Sequence, residues 1–170
     1  MEAVKVLMKT TKGDMVIELN PEKAPITVEN FLSYVKDGFF DGLVFHRVIG
    51  NFMIQGGGFD VDHNQKDVGR APIKNEATNG LSNDIGTIAM ARTNVINSAT
   101  CQFFINVAAN SFLNHTSKSP QGFGYCVFGK VVEGLEVMEA IKTVKTRVDP
   151  KAGMQDWPVE DVVINSVTVV

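Results

Sequence analysis

Apolar and polar positions alternate over short stretches of this chain, and in only two places does the spacing become helical. Val4 to Lys9 and Met15 to Leu19 are β-rich runs joined at Thr11-Lys12-Gly13-Asp14. Lys-Gly-Asp is a turn signal, so they predict an N-terminal hairpin. Asn20-Pro21 breaks the second run. Val28, Phe31, Leu32 and Val35 then fall at i, i+3, i+4 and i+7, one apolar stripe of a helix. Pro25 suits its first turn and Gly38 its stop. Leu43 to Ile49, Phe52 to Gly56, Ile85 to Ala91, Gln102 to Val107, Tyr125 to Val131 and Asp161 to Val170 are further strands. Leu135, Met138 and Ile141 mark a second short helix after Gly134. The remaining segments read as connections: Gly57-Gly58 with the polar stretch Asp60 to Arg70, Arg92 to Thr100, Ala108 to Gly124 and Val144 to Pro158.

Many short strands, two short helices and no βαβ rhythm predict a mainly β protein, antiparallel, either barrel or sandwich. Periodicity does not choose between the two. At 170 residues, 44% hydrophobic and 21% charged, the chain is expected to form a single domain over 1–170 with its own core.

The net charge of -3 comes without any basic run, which argues against nucleic acid as a partner. No stretch reaches the roughly 20 apolar residues of a membrane span. Met1 to Asp14 carries Lys5, Lys9 and Lys12 and no apolar core of a secretory leader, so a cytoplasmic location is expected. Cys101 and Cys126 have neither zinc nor redox spacing and are expected as buried free thiols. His63 and His115 lie in predicted loops without ligand-spaced partners, so no metal is expected. Glu76 and Asp84 read as solvated charges.

The chemistry concentrates in Phe45-His46-Arg47-Val48-Ile49-Gly50-Asn51-Phe52-Met53-Ile54-Gln55-Gly56-Gly57-Gly58. One arginine and one glutamine stand there among large apolar side chains, and cations are scarce in such company. Met90-Ala91-Arg92 and Gln102-Phe103-Phe104-Ile105-Asn106 repeat the mixture. Together they describe a groove able to hold a small apolar ring, with a few donors aimed at a backbone amide. Alternation sends Phe103 inward if Phe104 lines the groove. His46 is expected on the face of its strand opposite Arg47, as a core histidine. Read alone, Arg47 is equally a surface arginine with its stem on a sheet. Gly56-Gly57-Gly58 lacks the Lys-Ser/Thr of a phosphate loop and reads as flexible backbone at the groove edge. Gly50-Asn51 looks like a two-residue hairpin turn, which would set Arg47 opposite Ile54. A contact between Arg47 and Gln55 needs a turn one residue longer, or a bulge.

FHRVIGNFMIQGGG, GTIAMAR, QFFINV and GYCVFGKVVEGLEVMEAI resemble the cyclophilins, the barrel-shaped peptidyl-prolyl cis-trans isomerases. The motifs follow in the family's order from about residue 4 to residue 169, and QGFGYCVFGKVV resembles its short bacterial cytoplasmic branch. The resemblance implies an eight-stranded antiparallel closed barrel with a helix over each open end and a filled interior. It implies an isomerase of Xaa-Pro bonds that assists protein folding without a cofactor. Arg47 matches the catalytic arginine, and Gln55 the glutamine that steadies it. Phe52, Met53, Phe104 and Leu113 match the apolar floor under the proline ring. The backbone of Arg92, beside Ala91, matches the position that pairs with the substrate main chain, and Gln102 matches the groove wall. Phe112 and Tyr125 stand where the best-known eukaryotic members carry a tryptophan and a histidine. Without the indole N–H, only weak cyclosporin binding is expected. Proline-containing peptides and unfolded proteins are the expected partners, and a monomer the expected state. Two other readings stay open: a non-catalytic proline-peptide scaffold or chaperone of the same fold, and a small-ligand carrier, which would need an open cavity inside the barrel.

Overall fold

Eight strands form one antiparallel sheet that curls back on itself. The computed structural model describes residues 2–170. In chain order the elements are β1 (Val4–Thr10), β2 (Gly13–Leu19), α1 (Pro25–Lys36), β3 (Leu43–Ile49), β4 (Met53–Asp60), β5 (Thr87–Met90), β6 (Phe103–Asn106), β7 (Val127–Glu133), α2 (Leu135–Lys142), β8 (Thr146–Arg147), β9 (Trp157–Pro158) and β10 (Ile164–Val169). The sheet order is β10-β1-β2-β7-β5-β6-β4-β3, and β8 pairs only with β9. The two edges of the sheet meet. Val44 bridges Val163, and the amides of Gly42 and Phe45 donate to the carbonyls of Ile164 and Val162 at 2.8 and 3.0 Å. A barrel closed in this way leaves almost no open edge.

Alternation decides what fills it. Met8, Met15, Ile17, Leu19, Phe45, Ile54, Ile88, Phe103, Ile105 and Phe128 point inward and are buried. The interior is thus a packed core, which removes the carrier reading. The helices plug opposite ends. Phe31 of α1 packs on Phe40, just ahead of β3, and on Phe103 and Phe128, with ring centroids 5.1, 5.8 and 5.2 Å away. At the far end of β3, a Cβ on Gly50 would lie 2.8 Å from the carbonyl oxygen of Lys142, the last residue of α2.

Two expectations are corrected here. Glu76 is not a solvated charge. Its carboxylate accepts from the amides of Ile26 and Thr27 at 3.3 and 2.7 Å and from the Thr27 hydroxyl at 2.7 Å. Helix α1 has no capping side chain of its own, so a residue about fifty positions away satisfies its free N–H groups. Gly57 and Gly58 are not flexible loop either, since β4 runs through them to Asp60. They are sites of close approach. A Cβ on Gly57 (φ +90°) would stand 2.9 Å from the Phe103 ring, and one on Gly58 would stand 2.5 Å from the Gln102 amide nitrogen.

Gly57 and Gly153 share a positive φ but differ in space, because nothing lies within 4 Å of a Cβ on Gly153. Gly153→Ala should therefore cost about 1 kcal/mol of backbone strain, and Gly57→Ala about 2–4 kcal/mol because overpacking against Phe103 is added. Urea unfolding of the two variants measures the difference; equal losses would mean that Phe103 yields freely.

Candidate active site

The site is a row of cross-strand neighbours on the outer face of the barrel. In register, Arg47 on β3 faces Gln55 on β4, Gln55 faces Phe104 on β6, Phe104 faces Ala89 on β5, and Ala89 faces Val127 on β7. Two local irregularities put Arg47 in that row. The β3–β4 turn holds three residues, Gly50, Asn51 and Phe52, since Ile49 pairs with Met53, and the Phe52 amide donates to the Ile49 carbonyl at 2.9 Å. The longer turn expected from the sequence is therefore present. The register also shifts between Phe45 and Arg47. Phe45 and Val48 both belong to the interior, so the bulge turns both residues between them outward.

His46 consequently does not point to the face opposite Arg47, contrary to expectation. It is nevertheless a core histidine. It lies buried against Phe59 and Trp157, with ring centroids 4.6 and 5.7 Å away. Burial, helped by the Arg47 charge, lowers its pKa to about 4. It is neutral at physiological pH and adds no second cation beside Arg47.

Nine residues line one cavity of ≈ 180 Å³: Arg47, Phe52, Met53, Gln55, Ala91, Arg92, Phe104, Leu113 and Tyr125. That space suits one small ring and falls short of the ~300–1,000 Å³ of pockets for drug-sized ligands. Met53, Phe104 and Leu113 form its apolar floor and pack with Ala89 and Val127 in a cluster separate from the barrel interior. Phe103 points inward and Phe104 outward, as alternation requires. Gln102 lies outside this cavity, in an adjoining one of ≈ 220 Å³ that shares Gln55, Ala91 and Arg92 with it. Phe112 lines neither; it stacks on Phe52 at 5.6 Å and leaves 70% of its surface exposed as a rim.

The polar groups divide into anchored and available ones. Among the described residues the Arg47 guanidinium has no hydrogen bond or ion pair. Gln55 sits opposite it in register, yet its side-chain NH₂ donates to the Gln102 side-chain oxygen (Oε1) at 2.9 Å and makes no hydrogen bond with Arg47. What remains free on Gln55 is its own amide oxygen, the polarity a guanidinium needs. The Arg92 side chain is anchored through all three of its nitrogens. It donates to the carbonyls of Gly124, Thr93 and Pro120 at 3.0, 2.9 and 2.9 Å and lies over the Tyr125 ring at 4.8 Å. The backbone N–H and C=O of Arg92 have no partner among the described residues, whereas the neighbouring Ala91 amide donates to the Gln102 carbonyl at 3.0 Å. Extended backbone with unused groups is ready to pair with a peptide.

A model of the family described as "Cyclophilin type peptidyl-prolyl cis-trans isomerase/CLD" matches residues 5–169. The chain belongs to the cyclophilin family. It is 59% identical over 164 residues to peptidyl-prolyl cis-trans isomerase cyp18 of Streptomyces antibioticus, covering 96% of this chain and 97% of that one. It is 55% identical over 165 residues to peptidyl-prolyl cis-trans isomerase B of Escherichia coli strain K12, covering 96% and 98%. In fold it is similar to the crystal structure of a Cryptosporidium parvum cyclophilin type isomerase determined in the presence of the dipeptide Ala-Pro. That match has a TM-score of 0.76 and 24% identity over 98% of each chain. This cyclophilin is thus a peptidyl-prolyl cis-trans isomerase of the short bacterial kind.

Both cysteines are buried free thiols, as expected. Burial raises both above the ordinary thiol value, Cys126 to about 11, so neither is poised for chemistry beside the groove. No group of metal-ligating side chains occurs among the described residues.

His63 lies in a loop, as expected, and there it stands between two carboxylates. Its ring nitrogens lie 2.8 Å from Asp149 and 2.8 Å from Asp161, and its ring packs on Trp157 at 4.6 Å. Ionised carboxylates only accept, so both bonds form together only when the ring is protonated and donates from each nitrogen. Burial opposes that charge, but the bonds to Asp161 and Asp149 outweigh it and raise the pKa. His63 therefore stabilises the fold fully below its ordinary value of about 6.5, and the contribution is lost as pH rises through the raised value. Asp149 has a lowered pKa and contributes in the opposite sense, losing its effect in acid. Thermal unfolding should show stability declining above pH 6.5, and His63→Gln should flatten that decline; an unchanged slope would place its origin elsewhere.

Proposed function

We propose that Arg47 drives rotation about Xaa-Pro bonds by donating to the proline nitrogen as the bond twists. An X-Pro amide faces a barrier of about 18–20 kcal/mol and turns over in roughly tens to hundreds of seconds. The barrier is resonance between the nitrogen lone pair and the carbonyl. Twisting localises that pair on nitrogen, so a donor there binds the twisted state better than the planar one. No nucleophile, proton transfer or cofactor is required. The observation that carries this reading is a guanidinium without an internal partner among the described residues, lining a cavity with an apolar floor and the size of one small ring.

The other roles follow from the same layout. The proline ring rests on Phe52, Met53, Phe104 and Leu113, with Tyr125 as a wall. Gln55 orients Arg47 through its free amide oxygen. Arg92 offers its backbone N–H and C=O to the substrate main chain beside Ala91. The residue before proline faces Gln102 and the second cavity, which Gln55 and Gln102 make polar. Magnitudes set the division of work. Reaching a millisecond step takes roughly 10⁴- to 10⁵-fold acceleration, about 5–7 kcal/mol. One preorganised donor contributes about 2.7–4 kcal/mol by analogy with an oxyanion hole. The remainder comes from gripping the ring while the preceding carbonyl swings, and from excluding water.

Substrates on this reading are exposed Xaa-Pro bonds of unfolded or flexible chains, in the cytoplasm, met by a monomer that acts as a folding helper. The neighbour solved in the presence of Ala-Pro supports a proline-containing ligand of this size. Phe112 carries no N–H to donate, so cyclosporin binds weakly.

Exchange NMR on a short Ala-Pro peptide tests the mechanism. Wild type should accelerate cis-trans exchange, and Arg47→Ala should lower the rate by about 10²-fold while still binding the peptide. Binding without exchange by wild type would replace the enzyme with a scaffold, and full activity in the variant would discard the arginine mechanism.

A further inference from the structure

The groove is braced from behind by a run of buried amides that none of the roles above uses. Asn83, Asn106 and Asn110 are all buried. Asn106 lies on the outer face of β6 opposite Met53. Asn110 precedes a 3₁₀ turn at Ser111–Leu113, and Asn83 precedes β5. The Asn110 amide nitrogen donates to the Phe52 carbonyl and to the Asn106 side-chain oxygen, both at 2.8 Å. Asn106 donates to the Asn83 side-chain oxygen at 3.0 Å and to the Thr87 hydroxyl at 2.9 Å. Asn83 donates to the Asn114 side-chain oxygen at 3.1 Å and to the Tyr125 carbonyl at 3.3 Å.

Both ends of this chain are backbone carbonyls, which only accept. Asn110 must therefore turn its NH₂ toward Phe52, and Asn83 its NH₂ toward Tyr125. That leaves Asn106 as the one place where the two halves meet, obliged to accept from Asn110 and to donate to Asn83. A short neutral amide does both and has a second N–H for the Thr87 hydroxyl, whereas a hydroxyl has only one hydrogen to give. Phe52 and Tyr125 both line the cavity. Leu113 is tied into the same brace, since its amide donates to the Asn110 carbonyl at 3.0 Å and its carbonyl accepts from the Tyr125 amide at 2.9 Å.

We propose that Asn106 is a positioning residue that sets the width of the ring pocket through this amide chain, and so selects the five-membered ring of proline over a larger one. The proposal rests on the groove being the proline site. Asn106 touches no substrate; it acts through Phe52, Leu113 and Tyr125. Replacing it with leucine keeps much of its shape but strands buried donors and acceptors on both sides.

The test compares exchange NMR rates on matched Ala-Pro and Ala-pipecolic acid peptides, the latter carrying a six-membered ring. Wild type should favour proline. Asn106→Leu should accelerate proline about tenfold less, mainly through a weaker KM, and its proline-to-pipecolic rate ratio should fall about threefold or more. A loss that merely reflects a damaged fold would scale both peptides together. If Asn106→Leu does not fold, Asn110→Ser decides, because one hydroxyl hydrogen cannot serve both Phe52 and Asn106; the ratio should move in the same direction. An unchanged ratio in the variants, or equal acceleration of both rings by wild type, overturns the proposal. A wild type that accelerates neither peptide would instead overturn the proline-site reading beneath it.

Discussion

Everything this molecule does at its surface depends on the register between β3 and β4. A one-residue slip in a sheet exchanges its two faces. With a two-residue turn at Gly50-Asn51 and an unbroken β3, Arg47 would lie parallel to Phe45 and point into the barrel. The third turn residue and the bulge beside His46 together bring a cation out of a strand whose neighbours are core. The packing of Phe45 and Val48 inside the barrel then holds Arg47 outside it. The same register aligns Gln55, Phe104, Ala89 and Val127, so that five strands contribute one residue each to a single outer row.

The barrel therefore carries two apolar clusters with different purposes. The interior is made of large side chains in contact on all sides and provides rigidity. The outer cluster is small, covered on one side only, and bounded by loops rather than strands. Its loops are held by polar groups, among them the Arg92 guanidinium on the carbonyls of Gly124 and Pro120 and the asparagine brace below Phe52 and Tyr125. A firm floor with polar supports at its margins is what preorganisation of a shallow groove requires.

Much of this was legible in the sequence, for physical reasons. Alternation of period two exposes strands and their inward faces, so the split between Phe103 and Phe104 could be read directly. The conflict between a Gly50-Asn51 turn and the pairing of Arg47 with Gln55 that the family's motifs imply points to the longer turn. Other features had no local signal. Gly57 and Gly58 looked like loop because glycine serves both freedom and close approach, and only the facing residues Phe103 and Gln102 tell which. His46 was assigned to the wrong face because a bulge leaves no mark in composition. Glu76, His63 and the asparagines have partners tens of residues away, and such pairings depend on the closed barrel. The roles of Arg47, Gln55 and the floor residues came from the family's motifs, since the pattern alone left Arg47 as an ordinary surface arginine.

The strand order has a consequence for how the protein comes into being. The last strand, β10, lies between β1 and β3 and closes the ring. Closure therefore joins segments separated by well over a hundred residues and waits for the final part of the chain. Such long-range pairing is slow, because loop entropy must be overcome before the contacts reward it. During synthesis the greasy inner faces of seven strands emerge before the eighth can seal them.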